Sequence, residues 1–263
     1  MLFRSPFFEA SSIRKIGGKY YFIYSSWQNH ELCYATSDLP DRDFVFGGTI
    51  VSNGDVGYHG RSEKDRLNMT GTTHGSIECI NGQWYVFYHR LTHKSDYSRQ
   101  ACAEPITILP DGSIPQVEIT SCGLNGKPLH GTGTYPAVIA CNITNGHMPH
   151  GSNKIYTDSF PNATHCGEDR FIGEIQDGTM LGYKYFAFSG AKEIGVQYRG
   201  SCNGKFVVSD DMDGKNIVAE IPVAPADAWT ESRAPLHISD GTHPLYLFYR
   251  GDGEAAVKEL YLA

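Results

Sequence analysis

The sequence predicts an all-β protein, a partial β-propeller followed by a β-sandwich of the jelly-roll kind. Three observations predict it: a composition rich in glycine and aromatic residues, an internal repeat at an offset of 64 residues, and a second half of short strands between Gly and Asp turns. Among the 263 residues are Gly 29, Tyr 16 and Phe 13, and charged residues are only 19%. No stretch keeps helical apolar spacing for long, so strands dominate the expectation.

The repeat shows when "EASSIRKIGGKYYFIYS" is laid over "THGSIECINGQWYVFYH" with Glu9 on Thr73. Without a gap, Ser12 meets Ser76, Ile13 Ile77, Ile16 Ile80, Gly18 Gly82, Tyr21 Tyr85 and Tyr24 Tyr88. Each copy reads as a strand, a tight turn (Gly17-Gly18, Asn81-Gly82) and a strand of aromatic and β-branched residues, which is a hairpin signal. More strand material follows in each: "HELCYATS" and "FVFGGTIVS", then "RQACAEPITILPDGSI". A recurring meander is the mark of a propeller blade, so 1–120 is expected to hold two blades.

Residues 121–149 are rich in Gly, Pro and polar side chains without periodicity, and are expected to form a linker or packing segment. Residues 150–263 offer short strands such as "FIGEIQDGTMLGYKYFAFSG", "EIGVQYRG", "GKFVVSDD", "NIVAEIPV" and "LYLFYRGDG", spaced as in a sandwich.

The formal net charge of -7 leaves no basic field for nucleic acid or for an anionic membrane, and no apolar run approaches membrane-spanning length. A neutral, polar partner fits better. The seven cysteines lack C-x-x-C spacing, which argues against zinc and leaves the compartment open.

Glu9 is a carboxylate between a Phe-Phe pair and a run of small and aromatic residues, so it needs solvent, a partner or a task. His74 follows the position paired with Glu9, at the head of the equivalent strand, and strand heads of blades converge on one axial cavity.

These residues carry a family likeness. "FFEASSIRKIGGKYYFIYSS", "TGTTHGSIECINGQWYVFYHR" and "SRQACAEPITILPDGSI" resemble, in that order, the general-acid blade, the next blade and the closing segment of the family 43 glycoside hydrolases. The likeness covers roughly residues 6–118. Residues 150–263, with "DGTMLGYKYFAF", "VQYRG" and "HPLYLFYRGDG", resemble the family 6-like carbohydrate-binding jelly roll often appended to such enzymes.

The resemblance implies a five-bladed propeller and inverting hydrolysis of xylose- or arabinofuranose-bearing polysaccharide, of the xylan or arabinan type. That chemistry uses an acid and a base carboxyl about 6.5 to 9.5 Å apart. Glu9 matches the acid, and Phe7 and Phe8 beside it are expected to favour its protonated form. His74 matches a residue that approaches a calcium or its waters, and Arg99 one that reaches the substrate pocket. His89, Arg90 and His93 are weaker candidates; Asp55 and Asp96 read as loop acids.

The family's base and a second, tuning Asp lie on blades that precede the acid. Here Asp38, Asp41 and Asp43 sit in the turn "SDLPDRD", outside any matching motif. The chain is therefore expected to be N-terminally truncated and to be inactive alone. "LFRS" can be encoded by the end of a common sequencing adapter, so Met1 to Ser5 are expected to be a sequencing scar.

In the second half, Trp229 in "PADAWTES" is the expected stacking platform for a sugar, followed by Tyr183. The ending "AAVKELYLA" departs from the family's Asp-bearing pattern, which leaves that module's structural calcium unsupported. Secretion or periplasmic export is the family habit. The alternative function is a non-catalytic carbohydrate-binding protein, in which Glu9 hydrogen-bonds sugar.

Overall fold

A computed structural model describes residues 6–151 and 153–263; the expected scar, Met1 to Ser5, lies outside the described residues. The chain forms two compact units, one containing residues up to Ile119 together with Pro149–Ile155, the other Thr120–Met148 and Tyr156–Ala263.

Unit 1 holds two antiparallel sheets. The first is the meander β1 (Phe7–Ile16), β2 (Lys19–Ser26), β3 (Glu31–Ser37) and β4 (Val45–Ser52); the second is β5 (Ser76–Ile80), β6 (Gln83–Thr92) and β7 (Ser95–Ile106). Their hairpins turn where the glycines predict, with positive φ at Gly17 and Gly18 and at Asn81 and Gly82. Repeat partners touch directly: Ser12 Oγ and Ser76 Oγ are 2.6 Å apart, and Arg14 Nε donates to Glu78 Oε2 at 3.3 Å. The two sheets thus lie with their first strands side by side.

Burial is uneven between the copies. Ile77 is fully buried, whereas its equivalent Ile13 is 43% exposed and lines an open apolar groove with Phe7, Phe22, Tyr24 and Phe44. After β7 the chain is pinned by tyrosine hydroxyls: Tyr21 donates to the Gly112 carbonyl at 2.8 Å, and the Ile114 amide donates to Tyr34 Oη at 2.9 Å.

Unit 2 is a two-sheet sandwich. Its strands are β8 (Leu129–His130), β9 (Gly133–Pro136), β10 (Asn142–Thr144), β11 (Asn162–Cys166), β12 (Asp169–Ile175), β13 (Met180–Phe188), β14 (Glu193–Gly200), β15 (Asn203–Ser209), β16 (Ile217–Val223), β17 (Ala226–Pro235), β18 (Gly241–Asp252) and β19 (Ala255–Leu262). One sheet runs β10-β13-β18-β15-β16 with β8 beside β13; the other runs β11-β12-β19-β14-β17 with β9 beside β19. Phe186, Phe206, Leu247 and Tyr249 from the first and Ile172, Val196, Val257 and Leu260 from the second fill the core.

The stretch expected as a linker or packing segment, 121–149, packs as strands of this sandwich almost to its end. Leu129 pairs with Phe186, Tyr135 with Leu260 and Ile143 with Leu181. Strands of two to four residues are too short to show alternation in the sequence, and their hydrogen-bond partners lie far along the chain. The chain then re-enters unit 1, where Thr70 donates to the Pro149 carbonyl at 3.0 Å, Gly151 donates to the Thr70 carbonyl at 3.1 Å and the Lys154 amide donates to Asp96 Oδ2 at 3.0 Å.

Candidate active site

Glu9 is aimed by an irregularity in β1. Its register with β2 shifts on both sides of Glu9, and Ala10 next to it has φ of 56°, a bulge-like break that turns a side chain off the regular alternation. His74 stands just ahead of β5 in the other sheet. The close approach that puts it there is marked by Gly75, where an added Cβ would lie 1.8 Å from the Phe87 carbonyl oxygen and 2.7 Å from Leu32 Cδ1.

The two strand heads meet. His74 Nε2 and Glu9 Oε1 share a hydrogen bond of 2.8 Å, the imidazole N–H donating to a carboxylate or the carboxylic O–H donating to bare Nε2 according to the tautomer. Both side chains are partly open to solvent, 32% for His74 and 45% for Glu9. The apolar cover expected from Phe7 and Phe8 goes elsewhere: Phe7 packs on Phe22 and Tyr24, and Phe8 on Trp27.

His89 lies behind His74, its ring edge-on at 5.3 Å between centroids. The strand under it is held from outside the sheet, since Asn53 Nδ2 and Thr73 Oγ1 both donate to the His89 carbonyl. Its two ring nitrogens are buried without a protein partner. Burial first, then the Arg99 cation and His74, push its pKa down to about 4, so the ring is neutral near pH 7. Arg99, exposed on β7, completes the group; its Nε donates to the Asp96 carbonyl at 3.4 Å.

The structure thus brings together Glu9, His74, Arg99 and the weaker candidate His89. Asp55 and Asp96, read as loop acids, are both buried: Asp55 Oδ1 accepts from the Ile119 amide, and Asp96 Oδ2 accepts from the Lys154 amide. Arg90 is buried and donates to Gln100, and His93 bonds Thr92 and Ser98. As for a calcium ion, His74 Nε2 is engaged by Glu9, and no three His, Cys, Asp or Glu side chains come together to hold an ion among the described residues.

A pH effect follows from the buried imidazoles of unit 1. His30, His89 and His150 all have their pKa lowered, chiefly by burial, so each binds a proton less readily folded than unfolded. The stability they contribute is complete above about pH 6.5, the ordinary histidine value, and is lost as pH falls towards the folded values, about 4 for His89. Thermal melts should show the unit 1 transition falling steadily from pH 7 to pH 5. A flat profile would contradict the buried, neutral assignment.

In unit 2 the two expected sugar contacts fare differently. Tyr183 is fully buried in the sandwich core, its hydroxyl donating to the Ala137 carbonyl at 3.2 Å, so it offers no ring to a ligand. It sits on the inward-facing register of β13, as the alternation of "YKYFAF" allows. Trp229 is half-buried on β17; its Nε1–H donates to Asp169 Oδ2 at 2.8 Å, and the Arg199 guanidinium lies 4.4 Å from its ring centroid.

No family model matches the chain. It is similar to a xylosidase/arabinosidase of Thermoclostridium stercorarium, 46% identical over 270 residues that are 97% of this chain and 56% of that protein. It is also similar to an arabinoxylan arabinofuranohydrolase of Paenibacillus polymyxa, 22% identical over 96% of this chain and 40% of that protein. Among solved structures, a glycoside hydrolase family 43 arabinoxylan arabinofuranohydrolase from Bacillus subtilis, in complex with cellotetraose, matches 98% of this chain and 54% of its own with a TM-score of 0.51 at 18% identity, which is a likeness of fold. The chain spans about half the length of the relatives it matches over nearly its whole extent.

Proposed function

We propose that this chain carries the acid half of a family 43 type glycosidase site, acting by inversion on xylan- or arabinan-type pentosides, together with a carbohydrate-binding sandwich. The observation that carries the reading is the contact between Glu9 and His74, two strand heads that the repeat makes equivalent neighbours. The similarity to a xylosidase/arabinosidase across both units supports the substrate class.

In this reading Glu9 protonates the leaving glycosidic oxygen and His74 is the positioning residue, fixing which way the carboxyl faces. Neutral His89 backs the His74 ring without adding a charge, and Arg99 offers N–H donors to sugar hydroxyls at the rim. A base carboxylate is the other half of inverting chemistry, and Glu9 is the acid that the described contacts bring to this group. The two sheets of unit 1 are read as adjacent propeller blades. Ile13, exposed where Ile77 is covered, supports further blades on the Ile13 side, and those would bring the base.

The expected result for purified residues 1–263 is no pentose release from aryl xyloside or arabinofuranoside above the buffer rate. Loss of general base assistance is worth about 10²- to 10⁴-fold. Turnover at ordinary enzyme rates would overturn the half-site reading. If a polypeptide supplying the further blades restores turnover and Glu9→Gln in this chain abolishes it, the enzyme reading stands; sugar binding without turnover in that assembly would favour the non-catalytic binder.

A further inference from the structure

We propose that Arg199 makes the outward face of the β12-β19-β14-β17 sheet a binding site for a carboxylate-bearing sugar, with Trp229 acting as the backing of the guanidinium rather than as the surface on which the sugar lies. The inference rests on the reading of unit 2 as a carbohydrate-binding module. It names the chemistry which that module selects.

The face is defined by alternation along β14, where Ile194, Val196 and Tyr198 point into the core and Glu193, Gln197 and Arg199 point out. Arg199 is stacked on two rings, 4.4 Å from the Trp229 centroid and 5.3 Å from that of Phe171, and the two rings meet edge to face at 5.5 Å. A guanidinium lying on an aromatic plane keeps its N–H donors directed sideways, and its fork matches the two oxygens of a carboxylate.

The other cations of this face are already spent. Lys258 Nζ donates to Asp169 Oδ1 at 2.6 Å, and Arg233 is bonded to both Glu193 and Glu231. The Arg199 side chain makes no hydrogen bond or close ion pair among the described residues; besides its two ring contacts it acts on Asp169 only through its charge, helping to hold that carboxyl low. Three acids of this face are answered as well: Asp169 has one oxygen on Lys258 and the other on the Trp229 N–H, Glu231 is held by Arg233, and Glu259 accepts from Tyr261 Oη at 2.7 Å. What is left over is one oriented positive fork with no anion hydrogen-bonded to it. A neutral pentose oligomer has no group to match it, whereas a uronate side group does.

The test is calorimetric binding of the whole chain to xylotetraose and to the same oligomer carrying one glucuronosyl group. The acidic oligomer should bind about tenfold more tightly, as a charge-assisted hydrogen-bond pair implies. Arg199→Gln should erase that preference while leaving xylotetraose binding in place, and Arg199→Lys, which keeps the charge and loses the fork, should recover only part of it. Equal affinity for the two oligomers in the unchanged protein would overturn the assignment to Arg199 and leave the carbohydrate-binding reading standing. Binding of neither oligomer would overturn both, and an acidic peptide bound as tightly as the acidic oligomer would overturn the choice of a sugar. Thermal melts of each variant identify any loss that comes from unfolding, and Arg199→Lys retains the stacked side chain in case Arg199→Gln unfolds.

Discussion

Replacing Gly75 by alanine is expected to cost unit 1 about 3 kcal/mol and to part His74 from Glu9. The added Cβ would sit 1.8 Å from the Phe87 carbonyl oxygen and 2.8 Å from its carbon, atoms of the backbone that cannot rotate aside. Phe87 is locked in register with Ser76 on one side and Ala103 on the other, so relief requires β5 and β6 to separate. His74 is the residue next to the displaced one, and its 2.8 Å bond to Glu9 leaves little slack. Denaturant melts would measure the first effect and imidazole NMR shifts of His74 the second. A variant as stable as the parent, with unchanged His74 shifts, would mean the strand heads are held less tightly than this geometry states.

The second large effect belongs to unit 2. Phe206→Ala should destabilise the sandwich by about 3–5 kcal/mol, against a total of about 5–15 kcal/mol for an ordinary domain. Phe206 is fully buried on β15, between β16 and β18, and its ring packs 5.4 Å from that of Tyr249. The Tyr249 hydroxyl in turn accepts from the Asn203 amide and donates to the Asp252 carbonyl, so a cavity at Phe206 also loosens the support of that turn. Phe206→Leu, nearer in volume, should cost clearly less. Equilibrium unfolding of the two variants would separate them; equal costs would show that packing at this position is not what holds the two strands.

How much of this was legible in the sequence differs from element to element. The hairpins of unit 1 could be read because their signals are local: glycines at the turns, alternating aromatics, and a second copy at an offset of 64 against which to check the first. The same offset placed Glu9 and His74 at adjacent strand heads, and the structure joins them. His89 was a weaker candidate because its special condition, burial beside Arg99 and His74, arises only when β6 and β7 lie together. Tyr183 and Trp229 look alike as aromatics in a list, yet the phase of β13 turns one inward while the open face of β17 leaves the other at the surface. Arg199 had a usable signal in "EIGVQYRG", where it falls on the polar phase of an alternating strand; its lack of a hydrogen-bonded acid is a property of the sheet and not of the strand.

The path of the chain has a consequence for taking the protein apart. It leaves unit 1 at Ile119, builds the first part of the sandwich, returns over Pro149–Ile155 and leaves again, so it crosses between the units three times. No single cut in the polypeptide can yield both units whole. A fragment ending at residue 120 loses the strap that Thr70 and Asp96 hold, and one beginning at 156 loses three sandwich strands. The modules are separate in their cores and interleaved in their gene, so shuffling either one into another protein would require two junctions placed in register.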